Sequence, residues 1–317
     1  MVAYALRRLL IAVPTALLVA LFAFGVVRIV PGDALMLMIA DAAPRLDQAD
    51  LEALRAQMGL DRPFVPQFLA WLGGVVRGDF GESIWTGRPV LGEVLRTLPL
   101  TLELAVIALV VATLISIPIG VVSAVRQNTP WDYGTRLIAV LGLSIPDFAL
   151  AIVLLLVFSL VFHWVPPMEY HGLLEDPAAN LKQLLMPGLI LGFALSAVSM
   201  RMTRSAMLEV LREDYIRTAR AKGLGERLVI ARHALKNAFI PVVTIMGIQA
   251  RRLLGSTVII ESIFSLPGLG RLTLDALLNR DFIQLQGNLL IITFLVVLVN
   301  LAVDLSYGWL NPRIRYA

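Results

Sequence analysis

The 317-residue chain carries few side chains with the types and spacing that catalysis needs. His163, His171 and His233 lack metal-ligand spacing, HExxH is absent, and no GxxxxGK[ST] run exists to cradle a nucleotide. With no cysteine, disulfides, thiolate nucleophiles and cysteine-held zinc or iron–sulfur centres are excluded. What remains is charge in unusual places. Arg251 and Arg252 sit at the middle of an apolar run, where each arginine costs about 2.5–3.5 kcal/mol on insertion scales and more by other measures. They must face an interior. Successive helical residues point in different directions, so one can line a translocation path while the other pairs with an acid such as Asp147, Glu261 or Asp304. Asp147 and Gln249 join Arg251 and Arg252 as candidate pathway residues. Two readings stay open for the arginines: a cavity cation that meets a substrate carboxylate, or half of a buried structural ion pair.

The second place is Arg201 to Pro241, a dense charged stretch between long apolar runs. Leu208, Leu211, Tyr215 and Ala219 recur at helical spacing, Gly223 supplies a C-terminal stop, and Leu228, Ala231 and Leu235 resume the period. The spacing predicts two short helices hinged at Gly223-Leu224-Gly225. Such a unit is too short to build its own core, so it must rest on the bilayer surface, on its own spans, or in another protein's groove. A basic face lying on anionic lipid is the plain alternative to docking.

The elements that position these residues follow from composition. Hydrophobic residues make up 58% of the chain, charged residues 16%, and the mean hydropathy is +0.81, whereas about a quarter of residues are charged in a soluble domain. The chain is therefore a polytopic membrane protein. Its net charge of +4 reads as basic cytoplasmic loops rather than nucleic-acid binding. Apolar runs at Leu9–Val30, Leu100–Val125, Leu137–Phe162, Met186–Met200, Ala238–Ile263 and Asn288–Leu310 predict six spans. The first exceeds a signal-peptide core and lacks a cleavage site, so it is expected to be retained. Pro31 to Pro99 is polar and irregular, with an amphipathic helix expected at Asp47–Met58 and turns at GLDRP and WTGRP. Arg126 and Arg136 outnumber Asp132 in one connection, and Glu169, Glu175 and Asp176 outnumber Lys182 in the next. This alternation puts the Arg201 loop and both termini in the cytosol. Ser144, Pro146 and Asp147 mark a break in the third run. Gly268-Leu269-Gly270 reads as a bend after Pro267 rather than a phosphate cradle.

Five stretches in order carry a resemblance: YALRRLL…VRIVPGD, GLDRPFVPQFLAWLGGVVRGDFGESIWTGRPV, the charged loop, ESIFSLPGLGRL and DLSYGWLNPRIR. Together they resemble the dipeptide/oligopeptide/nickel permease family of ATP-binding cassette (ABC) importers across nearly the whole chain. The broader loop signature of that family is Glu-Ala-Ala, three residues, then Gly; only Ala219 and Gly223 match it here. The resemblance implies an all-α, six-helix type I importer permease: a first span at 1–30, an extracytoplasmic segment at 31–99, and a five-span core at 100–317 containing a cytosolic coupling loop at 201–237. It further implies that Tyr215 to Leu224 is a coupling helix seated in a separate ATPase subunit. The residues concerned are Asp214, Tyr215, Arg217, Thr218, Ala219, Arg220, Lys222, Gly223 and Leu224, with Ala219 keeping the contact face flat. ATP and Mg would be bound by partner subunits, with no cofactor in this chain. The implied partners are a second homologous permease, two ATP-binding subunits, an extracytoplasmic solute-binding protein and membrane lipid, in a bacterial inner membrane. An ion-coupled carrier acting without an ATPase is the alternative; an intramembrane enzyme lacks its nucleophile or metal set.

Overall fold

The computed structural model describes residues 2–29, 62–167 and 169–310. The amphipathic helix expected at Asp47–Met58 and the terminal residues Arg313 and Arg315 lie outside them. The described chain is helical: α1 (Val2–Ile29), α2 (Phe64–Val76), α3 (Val90–Val125), α4 (Pro130–Ser144), α5 (Asp147–Phe162), α6 (Pro177–Val210), α7 (Asp214–Ala221), α8 (Glu226–Ile263), α9 (Leu269–Leu278) and α10 (Phe282–Leu310). Among the described residues, four helices are long and apolar enough to cross a membrane: α3, α6, α8 and the Phe282–Val303 part of α10. The pair α4 and α5 adds a fifth candidate span, bent by 99° at the Ser144–Asp147 break. Pro146 causes the break, because it removes an amide donor and disfavours helical geometry at Ile145 before it. The apolar stretch described in α1 is Val13–Gly25.

Helices outrun the apolar runs that announce them. The fourth run ends at Met200, yet α6 continues to Val210, and α3 starts ten residues before Leu100. Hydropathy marks what lipid can touch, whereas helix length is set by backbone hydrogen bonds and caps, which continue into polar sequence. The start of α6 is capped by Asp176, whose Oδ1 accepts from the backbone N–H groups of Ala178 and Ala179 at 3.1 and 3.0 Å. Those two donors hold the Asp176 carboxyl below its usual range.

Two compact units are present. The larger comprises Met1–Tyr4, Leu100–Gly270 and Val299–Ala317. Its core is centred on α6, with Leu184, Ile190, Leu191 and Leu195 buried against Leu100, Leu104 and Ala108 of α3 and Leu253 and Ile260 of α8. Small residues let the backbones approach. A Cβ at Gly188 would lie 2.4 Å from Ile107, one at Gly192 2.5 Å from Val111, and one at Gly120 2.6 Å from Thr203. Close glycine contacts of this kind are how helices pack where lipid supplies no hydrophobic drive. Within the same unit Glu261 is fully buried, and its carboxylate accepts from the Thr101 hydroxyl. Thr101 in turn accepts from the Leu269 N–H at 2.8 Å. A Cβ at Gly268 would lie 2.3 Å from the Glu261 carboxyl carbon. The glycine bend after Pro267 is thus shaped around an internal carboxylate.

The smaller unit comprises Ala5–Pro99 and Arg271–Leu298. Phe24 packs against Phe64, Phe68 and Trp71 with ring centroids 5.3–5.5 Å apart. The 13-residue helix α2 occupies a stretch that reads as irregular, because its glycines and prolines mask a helix built from Phe, Val, Leu and Trp. The WTGRP turn forms as expected, with Gly87 at φ +66 and its N–H donating to the Ser83 carbonyl. Asp281 accepts from the Ser83 hydroxyl and the Gln284 N–H.

Candidate functional site

The charged stretch resolves into three elements rather than two. The α6 helix runs on to Val210, a turn over Leu211–Glu213 interrupts the period, and α7 covers Asp214–Ala221. The spacing of Leu208, Leu211, Tyr215 and Ala219 therefore crosses a break, since successive hydrogen-bonded turns preserve the period closely enough to hide it. The third element is not a separate short helix: it is the beginning of α8, continuous to Ile263 through a π-helical turn at Val229–Ala234. Such turns are single-residue insertions that widen the helix.

The end of α7 is a Schellman cap. The Leu224 N–H donates to the Ala219 carbonyl and the Gly223 N–H to the Arg220 carbonyl, with Gly223 at φ +79. Gly223 is required by its left-handed backbone, while the space around its missing Cβ is open. Leu224 completes the motif by packing back toward Ala219. Around this turn Arg220 grips Glu226 with two bonds of 3.1 and 2.7 Å. The Asn237 amide of α8 donates to the Tyr215 hydroxyl at 2.7 Å.

One face of α7 is seated on the chain's own helices. Ile216 is fully buried and Ala219 is 7% exposed, in a cluster with Ala124 of α3, Ala206 and Met207 of α6, and Val229, Ala234 and Ala238 of α8. Ala219 thus faces inward, not toward an outside contact, because α7 is amphipathic and its apolar face meets the bed built by the helix ends beside it. The opposite face is open: Asp214, Tyr215, Arg217, Thr218, Arg220, Lys222 and Gly223 are exposed, with an Arg217–Asp214 pair at 3.2 Å.

Beneath this loop lies an ion pair that residue spacing does not announce. Asp132, in the first turn of α4, is fully buried and accepts from Arg204 Nε and Nη2 at 2.8 and 2.9 Å, from the Ser123 hydroxyl at 2.6 Å and from the Asn128 N–H at 3.1 Å. The pair joins α3, α4 and α6 at the end of the unit that carries α7. Seventy-two residues separate the partners, so no local pattern could have found it.

The pathway candidates are not brought together. Arg251 and Arg252 are both exposed on α8, and Arg251 donates to Asn300 of α10 at 2.8 Å. Gln249 faces the other way; it is buried and donates to the Leu195 carbonyl of α6 at 3.2 Å. Asp147 lies at the α4–α5 break, where its carboxylate accepts from the Phe148 N–H. No hydrogen bond or ion pair among the described residues joins it to either arginine. Glu261 is nine and ten residues along the same helix from the two arginines, a rise of about 13–15 Å. The Asp304 side chain lies outside those described.

Comparison with known proteins places this arrangement. The family model of the binding-protein-dependent transport system inner membrane component matches residues 116–316, and that of its N-terminal component matches residues 1–105. The chain is 37% identical to the dipeptide transport system permease protein DppB of Alkalihalophilus pseudofirmus over 336 residues, and 40% identical to the glutathione transport system permease protein GsiC of Escherichia coli (strain K12) over 316, each covering 100% of both chains. The di/tripeptide transport system permease protein DppB of Pseudomonas aeruginosa is 39% identical over 337 residues, covering 100% of this chain and 99% of that one. Among solved structures, an inward-facing MetNI methionine ABC transporter shares the fold with a TM-score of 0.57 and 18% identity, over 69% of this chain and 96% of that one. Nothing in these comparisons points to an ion-coupled carrier. The helical membrane architecture, the family models over both halves and the full-length relatives agree: the chain belongs to the dipeptide/oligopeptide/nickel permease family of ABC importers.

Proposed function

We propose that this chain is one of two homologous permease subunits through which an ATP-driven importer moves peptides or related small solutes across a bacterial inner membrane, with α7 as the coupling element. The observation that carries the coupling role is the two-sided character of α7. Its apolar face is fixed to the ends of α3, α6 and α8, while its polar face is open to a partner. A helix held that way transmits a push to three long helices at once. Two ATP-binding subunits bind ATP and Mg, an extracytoplasmic binding protein delivers the solute, and both termini are cytosolic with six spans in all. This chain itself catalyses no reaction.

Docking is tested by copurification. Reversing the exposed charges in Arg217→Glu/Lys222→Glu is expected to strip the ATPase subunits from the purified permease while the permease still inserts. An unchanged ATPase content would move the docking face elsewhere.

The exposed arginines of α8 support a pathway role. A mid-span cation facing lipid is too costly to persist, so this face of α8 is covered by water or by the second permease. Arg252→Gln is expected to lower uptake of anionic substrates roughly tenfold more than that of neutral ones, the effect of one lost contact of about 1.4 kcal/mol. Equal losses for both substrates, with poor assembly, would instead make Arg252 a structural residue.

A further inference from the structure

A cavity of about 560 Å³ opens between α4, α6 and α8, separate from the α7 surface and from Arg251 and Arg252. Its walls change character along their length. Arg136 of α4 and Arg201, Arg204 and Ser205 of α6 form the part nearer the charged loop. Val140, four residues beyond Arg136, and Val198, three before Arg201, form the part about one turn deeper, together with Ile245 of α8. Arg204 is committed to Asp132. Arg136 and Arg201 have no carboxylate partner among the described residues. Arg136 is within 5.6 Å of the Tyr133 ring, and Arg126 stands 5.5 Å from the exposed Trp131. A Trp and a Tyr beside arginines where apolar sequence meets a polar loop are the anchors found at headgroup depth.

We propose that this cavity holds an anionic phospholipid of the leaflet on the charged-loop side, its phosphate on Arg136 and Arg201 and its acyl chain against Val140, Val198 and Ile245. The lining selects this occupant. A soluble anion would need polar walls throughout, and a purely apolar guest would leave two arginines without counter-charge. An amphiphile with one negative group satisfies both halves, and Arg forks match phosphate oxygens. The site lies against the Asp132–Arg204 pair and the helix ends under α7, so its occupancy would brace the same region that α7 loads.

Native mass spectrometry of the purified complex, equilibrated with equimolar phosphatidylglycerol and phosphatidylcholine, tests this. Phosphatidylglycerol adducts are expected to exceed phosphatidylcholine adducts roughly tenfold, in line with two arginines acting on a net anionic headgroup. Arg136→Gln/Arg201→Gln should abolish the preference, Arg136→Lys/Arg201→Lys should retain most of it, and Arg212→Gln/Arg227→Gln, outside the cavity, should leave it intact. Equal retention of both lipids, or a preference that survives the double Gln variant, overturns the assignment. Displacement of the lipid by an anionic peptide also overturns it, and would make the cavity a station for substrate.

Discussion

Asp132→Ala is expected to destabilise the permease by about 3 kcal/mol, read as a lowered midpoint when the purified protein is unfolded in mixed micelles. Removing one partner of a buried ion pair costs about 3–5 kcal/mol because the other charge is stranded. The lower end applies here, since the Arg204 side chain keeps 22% of its surface exposed while Asp132 keeps none. The substitution also orphans the Ser123 hydroxyl and the Asn128 N–H. A second variant isolates the cause. Asp132→Ala/Arg204→Met removes the stranded charge and should recover more than half of the loss, because apolar replacement of a whole pair is often neutral. If the double variant is as unstable as the single one, the packing of α4 against α6, not charge pairing, carries the stability of this corner.

Ala219→Phe is expected to have the largest effect on transport. Ala219 sits between α7 and its bed of Ala124, Ala206, Met207 and Val229, where added atoms have nowhere to go. Overpacking costs about 1–3 kcal/mol, and the least costly relief is for the short helix α7 to lift. Uptake should fall roughly tenfold or more, the scale of a lost coupling of about 1–3 kcal/mol, while the bound ATPase subunits continue to hydrolyse ATP. Gly223→Ala provides the contrast: it strains a φ of +79 but meets open space, costs about 1–2 kcal/mol, and should leave most transport in place. Wild-type uptake by Ala219→Phe would remove α7 as the transmitting element. A parallel loss of uptake and of copurified ATPase would mean that the buried face matters for docking rather than for transmission.

The effect at Ala219 turns on which way α7 faces, and residue patterns alone gave only half of that. The amphipathic period and the stop at Gly223 were legible because they are local: helical spacing and a left-handed cap each need only a few neighbouring residues. The break at Leu211–Glu213 was not, since apolar residues on both sides keep phase across it. The kink at Ser144–Asp147 was readable from Pro146, whose effect on the backbone acts within one turn. Likewise five of the six apolar runs fall on helices, or a bent helix pair, long and apolar enough to cross a membrane, whereas the first run keeps only a shorter apolar stretch at Val13–Gly25 among the described residues; lipid imposes its demand on composition wherever a helix crosses. Their ends were misplaced by ten residues at α3 and α6 and by twelve at the start of α8, where caps and backbone bonding carry the helix beyond the lipid boundary.

The pairing of distant side chains lay outside what the order of residues could reveal. Arg251 and Arg252 were singled out by cost, yet their partners depend on neighbouring helices: Arg251 meets Asn300, and the candidate acid Glu261 is taken up by Thr101. Asp132 looked like a minor acid in a basic connection and is instead the anchor of Arg204. Membrane character and helix content were thus legible in composition and local periodicity, which act through solvent transfer and backbone geometry, while the family was legible in five motifs that resemble it. Only the tertiary structure decided that Ala219 points inward, that the loop rests on its own helices, and that two arginines line an amphipathic cavity. Those facts depend on which helices meet, and side chains 72 residues apart become neighbours only when they do.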